Sequence, residues 1–111
     1  MSVTINGKNT TKLSLVQTEA KRLSFYYDTA ITTATFALKV ENSAGTAVIS
    51  KSDSDFDKTN VGNGYAYITL NTTDLNLAVG FYKLQLKTTW NATTSVDKTT
   101  ILTLEITESL F

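Results

Sequence analysis

An all-β sandwich of two antiparallel sheets follows from three features of this 111-residue sequence. Apolar and polar residues alternate with period two along most of the chain. No segment carries the 3.6-residue period of a helix. Asn-Gly, Asp and Ser clusters bound the alternating runs. Threonine is used heavily, often in pairs such as Thr32 and Thr33 or Thr88 and Thr89, and its β-branched side chain suits a pleated surface. Proline is absent, which separates this composition from a mucin-like stalk.

The elements can be justified in order. Val3 and Ile5 begin a strand that Asn6 and Gly7 interrupt, and Leu13 and Leu15 resume it. Leu23, Phe25 and Tyr27 alternate with Arg22, Ser24 and Tyr26 until Asp28 ends the run. Phe36, Leu38 and Val40 alternate with Ala37 and Lys39. Asn42, Ser43, Ala44 and Gly45 then form a hairpin turn into Ala47, Val48 and Ile49. A polar connection over 50–64 closes at Asn63 and Gly64, and Ala66, Ile68 and Leu70 follow, flanked by Tyr65 and Tyr67. Tyr82, Leu84 and Leu86 begin a strand that runs to Trp90. Residues 91–97 are expected as a hairpin loop, and Leu102, Leu104 and Ile106 form the last strand. About seven strands at roughly 10- to 15-residue spacing make one sandwich domain over residues 1–111. The same signals also serve a small closed barrel.

Residues 73–85 set the register. A polar turn, Leu75, Leu77 and Gly80 lead to Tyr82, after which Leu84 and Leu86 alternate with Lys83, Gln85 and Lys87. That order resembles the corner of an immunoglobulin-like sandwich, where a tyrosine near the start of strand F bonds to the backbone of the preceding connection. Gly80 and Tyr82 are therefore the predicted structural corner. In the same lettering 23–27 is B, 36–40 is C, 66–70 is E, 82–86 is F and 102–106 is G, with B and E in one sheet and C, F and G in the other. The predicted core is Leu23, Phe25, Phe36, Leu38, Ile68, Leu70, Leu84, Leu86, Leu102 and Leu104. A slip of one residue would invert the faces of any strand.

Composition removes several function classes. Ten basic and ten acidic residues balance to zero, and no basic stripe marks a nucleic-acid binder. No apolar run approaches the ~18 residues of a membrane span, and the first residues show no secretory signal. Without histidine or cysteine, neither a Ser-His-Asp nor a Cys-His arrangement can be built within the chain, and the commonest transition-metal ligands are missing. No carboxylate pair is marked by its surroundings as the acid and nucleophile of a glycosidase. The expectation is a non-enzymatic binding or structural domain with no catalytic residues, no cofactor and no metal.

Asp53, Asp55 and Asp57 copy the first three ligand positions of a calcium loop, but Lys58 stands where the turn glycine belongs and Gly64 where the bidentate glutamate belongs. The expected arrangement is an acidic surface with Phe56 turned inward. Tyr26, Tyr65 and Tyr67 fall on the outward positions of B and E and should cluster on one outer face, either as a protein interface or as cross-strand pairs that stabilise the sheet. Trp90 either caps the core or stacks on a sugar. Leu110 and Phe111 either fold back on the sandwich or contact a neighbour. Tyr26, Tyr65, Tyr67, Leu110 and Phe111 are accordingly the candidate protein interface, with the outer face around Lys39, Lys83 and Lys87 as the alternative surface.

The strand order, the turn at Gly45 with Val48, Ile49, Ser50 and Lys51 after it, the aspartate-containing connection, Gly64 with its strand, and the run Leu77-Ala78-Val79-Gly80-Phe81-Tyr82-Lys83 together resemble the immunoglobulin-like domains of tailed-bacteriophage virion proteins. They are especially similar to the N-terminal domain of phage baseplate upper proteins and to capsid and tail decoration modules. The resemblance covers nearly the whole chain. It implies a structural protein of the virion, a decoration or adaptor module docked on capsid, neck, tail or baseplate. Its implied partners are other virion proteins in multiple copies, not nucleic acid or membrane. Baseplate upper proteins continue into a segment that carries the receptor-binding protein, which has no counterpart here. The alternative is a carbohydrate-binding or adhesin-like module, with Trp90 and the tyrosines contacting glycans.

Overall fold

Two sheets face each other in the computed structural model, which describes residues 3–7, 11–99 and 101–111. The strands are β1 (Val3–Ile5), β2 (Lys12–Val16), β3 (Lys21–Tyr27), β4 (Ala34–Glu41), β5 (Ala47–Lys51), β6 (Tyr65–Leu70), β7 (Gly80–Trp90), β8 (Ser95–Lys98) and β9 (Leu102–Thr107). Short 3-10 turns at Asp53–Asp55 and Val61–Asn63 interrupt the long connection. One sheet has the order β1-β3-β6. The other has the order β2-β9-β7-β4-β5, with β8 also paired to β7. The fold is an immunoglobulin-like β-sandwich, with B and E (β3, β6) in one sheet and C, F and G (β4, β7, β9) in the other.

The described residues hold nine strands where about seven were expected, because the first predicted strand is divided between the two sheets and a short strand, β8, forms within the expected hairpin loop. β1 pairs with β3, but after Asn6 and Gly7 (φ 52° and 78°) the chain crosses to the other sheet, where β2 runs parallel to β9. The sheets are therefore not wholly antiparallel. The last predicted strand is intact as β9, which pairs with the first half of β7, while β8 pairs with its second half, both on the edge opposite β4. Between them Thr99 keeps the ladder, its N–H donating to Leu86 O at 3.0 Å. The expected hairpin loop over 91–97 is shorter than predicted. Thr93 N–H returns to Trp90 O, Thr94 takes a positive φ of 55°, and Ser95 already begins β8.

All ten predicted core residues are buried, and Ile5, Leu15, Tyr27, Ile31, Val40, Ile49, Phe56, Leu75 and Ile106 join them. Tyr27 is the largest. Its ring meets Phe36 at 5.8 Å and the edge of Trp90 at 6.2 Å, and its hydroxyl bonds the buried Thr88 hydroxyl at 2.5 Å. The backbone beside it is equally constrained. Tyr27 N–H donates to Gly64 O at 2.7 Å, and a Cβ built on Gly64 would lie 2.3 Å from Tyr27 O and 2.9 Å from Thr29 O. With φ at +87°, only glycine fits there.

Burial pushes the Tyr27 phenol up to about 12 from 10, with the Thr88 hydrogen bond opposing and Asp97 adding to the rise. An acid whose pKa is higher folded than unfolded stabilises the fold below the unfolded pKa and loses that contribution as pH climbs towards the folded one. Urea denaturation should therefore show stability falling between pH 10 and 12 more steeply in the native sequence than in Tyr27→Phe. At neutral pH that variant should lose about 1–3 kcal/mol, because Thr88 is left without its partner.

Candidate functional site

The corner is built as its residues require. Tyr82 Oη donates to Ala78 O at 2.7 Å, inside the 73–80 connection. The ring is half-buried against the core rather than fully enclosed, because Tyr82 lies close to the start of β7. The connection is held from a second side: Thr18 N–H donates to Leu75 O and Gln17 Nε2 to Leu77 O, both at 2.9 Å. These bonds bury Leu75 and fix Gly80 where β7 begins.

The outer face of the three-stranded sheet gathers the three predicted tyrosines. Tyr26 and Tyr65 are directly opposite in the β3–β6 register, with ring centroids 4.8 Å apart. Tyr65 and Tyr67 stack at 6.0 Å with planes 10° apart. The Arg22 guanidinium lies 3.8 Å from the Tyr67 ring centroid, and Asn60 Nδ2 donates to the Tyr67 hydroxyl at 3.1 Å. Sequence reasoning missed Arg22, yet period two already puts it on the face of Ser24 and Tyr26, diagonal to Tyr67 once the register is known. The resulting surface is one aromatic row capped by a cation. Tyr65 is exposed, while Tyr26 and Tyr67 are half-buried by their neighbours.

The three aspartates serve separate partners. Asp53 accepts from Phe36 N–H at 2.9 Å and from Lys58 Nζ at 3.1 Å, which holds the connection against β4. Asp55 accepts from Ser52 N–H at 2.9 Å. Asp57 accepts from Thr59 N–H and its hydroxyl, which together hold the carboxyl below its usual range, with Arg22 at 3.6 Å adding to the effect. Phe56 turns inward against Phe36 at 5.5 Å, as expected. No group of carboxylates among the described residues is placed to hold a metal ion.

Trp90 caps the core end: it is half-buried, meets Tyr27 edge-on and donates Nε1–H to Asp97 at 2.6 Å. Leu110 and Phe111 do not fold back; both are exposed, at 92% and 110%. Of the matches to the glycosylation sequon in this threonine-rich chain, the one at Asn9 lies outside the described residues. No helix among the described residues is long and apolar enough to cross a membrane.

A scan against protein-family models finds no match to this chain, and a search of curated proteins finds none either.

Two outcomes follow from the corner and the aspartates. Tyr82→Phe should cost about 1 kcal/mol in urea denaturation with the circular dichroism spectrum unchanged, since a single backbone hydrogen bond is lost at a half-buried site. Thermal melting with millimolar calcium and with a chelator should agree to within about a degree. A ligand bound only by the native state would raise the midpoint by several.

Proposed function

We propose that the chain is a non-enzymatic structural module that docks on a larger protein assembly, and that this assembly is the virion of a tailed bacteriophage. There it serves in several copies as a decoration or adaptor on capsid, neck, tail or baseplate. The virion assignment rests on the sequence resemblance. The docking role rests on one observation, the row of Tyr26, Tyr65 and Tyr67 on the outer face of the three-stranded sheet. Tyrosine combines a large apolar ring with a polar tip at low entropic cost and is enriched at protein interfaces. Because these rings are already held against one another and against Arg22, little freedom remains to be lost on binding. The exposed Leu110 and Phe111 add apolar surface that a partner would cover. The glycan reading loses its best platform, since Trp90 is occupied by Asp97 and Tyr27.

Particles banded by density, with the chain quantified by mass spectrometry, test this reading. The native chain should co-band with particles. A Tyr26→Ser, Tyr65→Ser, Tyr67→Ser triple variant and a chain ending at Ser109 should each fold normally and lose at least tenfold in occupancy. Occupancy equal to the native chain in both variants would move the docking surface elsewhere. A native chain absent from particles that binds a glycan array through the tyrosines would replace this reading with the carbohydrate-binding one.

A further inference from the structure

The outer face of the six-stranded sheet carries a second surface, the one around Lys39, Lys83 and Lys87 that the sequence offered as the alternative, extended by Lys98 on β8. Across β4, β7 and β8, Ala37 faces Lys87 and Lys87 faces Lys98 directly. One row on, Ser50 faces Lys39 and Lys39 faces Gln85. A further row brings Glu41, Lys83 and Thr103 into line. Lys39, Lys83, Lys87 and Lys98 are exposed, and none makes an ion pair among the described residues. Elsewhere the pattern differs: Lys12, Arg22, Lys51 and Lys58 each face a carboxylate within 4 Å. Like charges directly opposite in a sheet cost stability, so the Lys87–Lys98 pair works against folding in the isolated chain. A depression of about 270 Å³ lies among these side chains, with Lys39, Ser50, Gln85, Lys87 and Lys98 on its walls.

Apolar side chains lie on the same face. Phe81 is opposite Glu105, and Val16 is opposite Thr107 on β9. Ile101 sits between β8 and β9, beside Lys39, Lys83 and Gln85. All three are among the large apolar residues exposed within the described residues. A five-strand face with ~4.8 Å strand spacing measures roughly 20 Å by 20–25 Å. That planar area of about 400–500 Å² is smaller than the about 800 Å² per partner of a standard interface and suits a small or transient contact.

We propose that this face docks a partner protein whose surface presents a cluster of carboxylates beside an apolar patch. A second copy of the same face fits poorly, because an isologous pair would offer its four unpaired lysines only Glu41 and Glu105, the latter already paired with Lys12, and would leave most of them without a carboxylate. A nucleic-acid strand would satisfy the lysines but leave Phe81, Val16 and Ile101 without a role, and it would meet Glu41 and Glu105. A bilayer needs apolar groups projecting beyond the charges, whereas here both kinds lie on the surface of one sheet. The contact is independent of the tyrosine face on the opposite side of the sandwich, so the module is two-sided.

An acidic–aromatic polypeptide, the random glutamate–tyrosine copolymer, serves as the probe, with polyglutamate, a single-stranded oligonucleotide and phosphatidylserine vesicles alongside it. In 50 mM salt the copolymer should bind most tightly and shift backbone amides of 37–41, 81–87 and 98–103. Lys39→Gln, Lys87→Gln and Lys98→Gln combined should weaken that binding at least tenfold. Phe81→Ser with Ile101→Ser should remove the preference for the copolymer over polyglutamate. Lys21→Gln and the triple tyrosine variant should bind as the native chain does, so that failure here and failure of the tyrosine docking surface stay distinguishable. Amide shifts confined to other strands, native-like binding by the triple lysine variant, or tighter binding of oligonucleotide or vesicles would each overturn the proposal.

Discussion

Tyr27 ties the two sheets together, and the placement of both outer faces depends on it. Its ring wedges between Phe36 and Trp90 of the opposite sheet, its hydroxyl reaches Thr88 there, and its N–H is held by Gly64. A buried phenol without a partner costs on the order of 1–3 kcal/mol, so only the register that brings Thr88 beneath Tyr27 is comfortable. Shifting β3 by one residue would put Tyr26 into the core and Tyr27 into water. The hydrogen bond thus selects the outward set Arg22, Ser24 and Tyr26. It thereby decides that Tyr26 meets Tyr65 on the surface.

Gly64 extends the same constraint to the loops. Because no side chain fits between it and the carbonyls of Tyr27 and Thr29, the connection from Asp53 to Asn63 is drawn tightly against the end of β3. Ile31 N–H then bonds Val61 O at 2.9 Å, and Ile31 is buried beneath it. Asp53 and Lys58 secure the other end against Phe36 N–H and Ala34 O. What the sequence presents as a calcium-like acidic run is a clamp, in which each carboxylate is committed to a nearby donor. The tyrosine row gains rigidity from it, since Asn60 and Asp57 reach Tyr67 and Arg22 from this connection.

Much of this architecture was legible because it is local. Period-two alternation located the strands, and the ten residues assigned to the core are all buried. The Gly80–Tyr82 corner was read from a short run whose hydrogen bond, Tyr82 to Ala78, spans four residues. Features needing long-range pairing were hidden. Tyr27 ends its run beside Tyr26 and Asp28, so its burial depends on a threonine 61 residues away, and Thr88 is one threonine among many. The short β8 was read as loop because Val96 is its lone apolar residue. The parallel pairing of β2 with β9 joins residues about 90 positions apart, and alternation gives no direction of pairing. The tyrosine cluster could be foreseen once B and E were taken as neighbours. Arg22 over Tyr67 required the register itself.

The neutral composition conceals the feature that most distinguishes the two faces. Ten cations and ten anions cancel in the sequence, yet among the described residues Lys12, Arg22, Lys51 and Lys58 sit in ion pairs, while Lys39, Lys83, Lys87 and Lys98 across β4, β7 and β8 do not. Outward positions on these strands share one sheet face, so charges far apart in sequence, Lys39 and Lys98 among them, come to border one depression. On the opposite side of the sandwich the cation nearest the tyrosines, Arg22, is spent on Asp57 and the Tyr67 ring. One face is therefore aromatic and internally satisfied, while the other is basic, part apolar and short of counter-charges. A rigid core about two side chains thick holds the two apart, since stacked sheets pack about 10 Å from one another. With that separation, each face presents its own chemistry without disturbing the other.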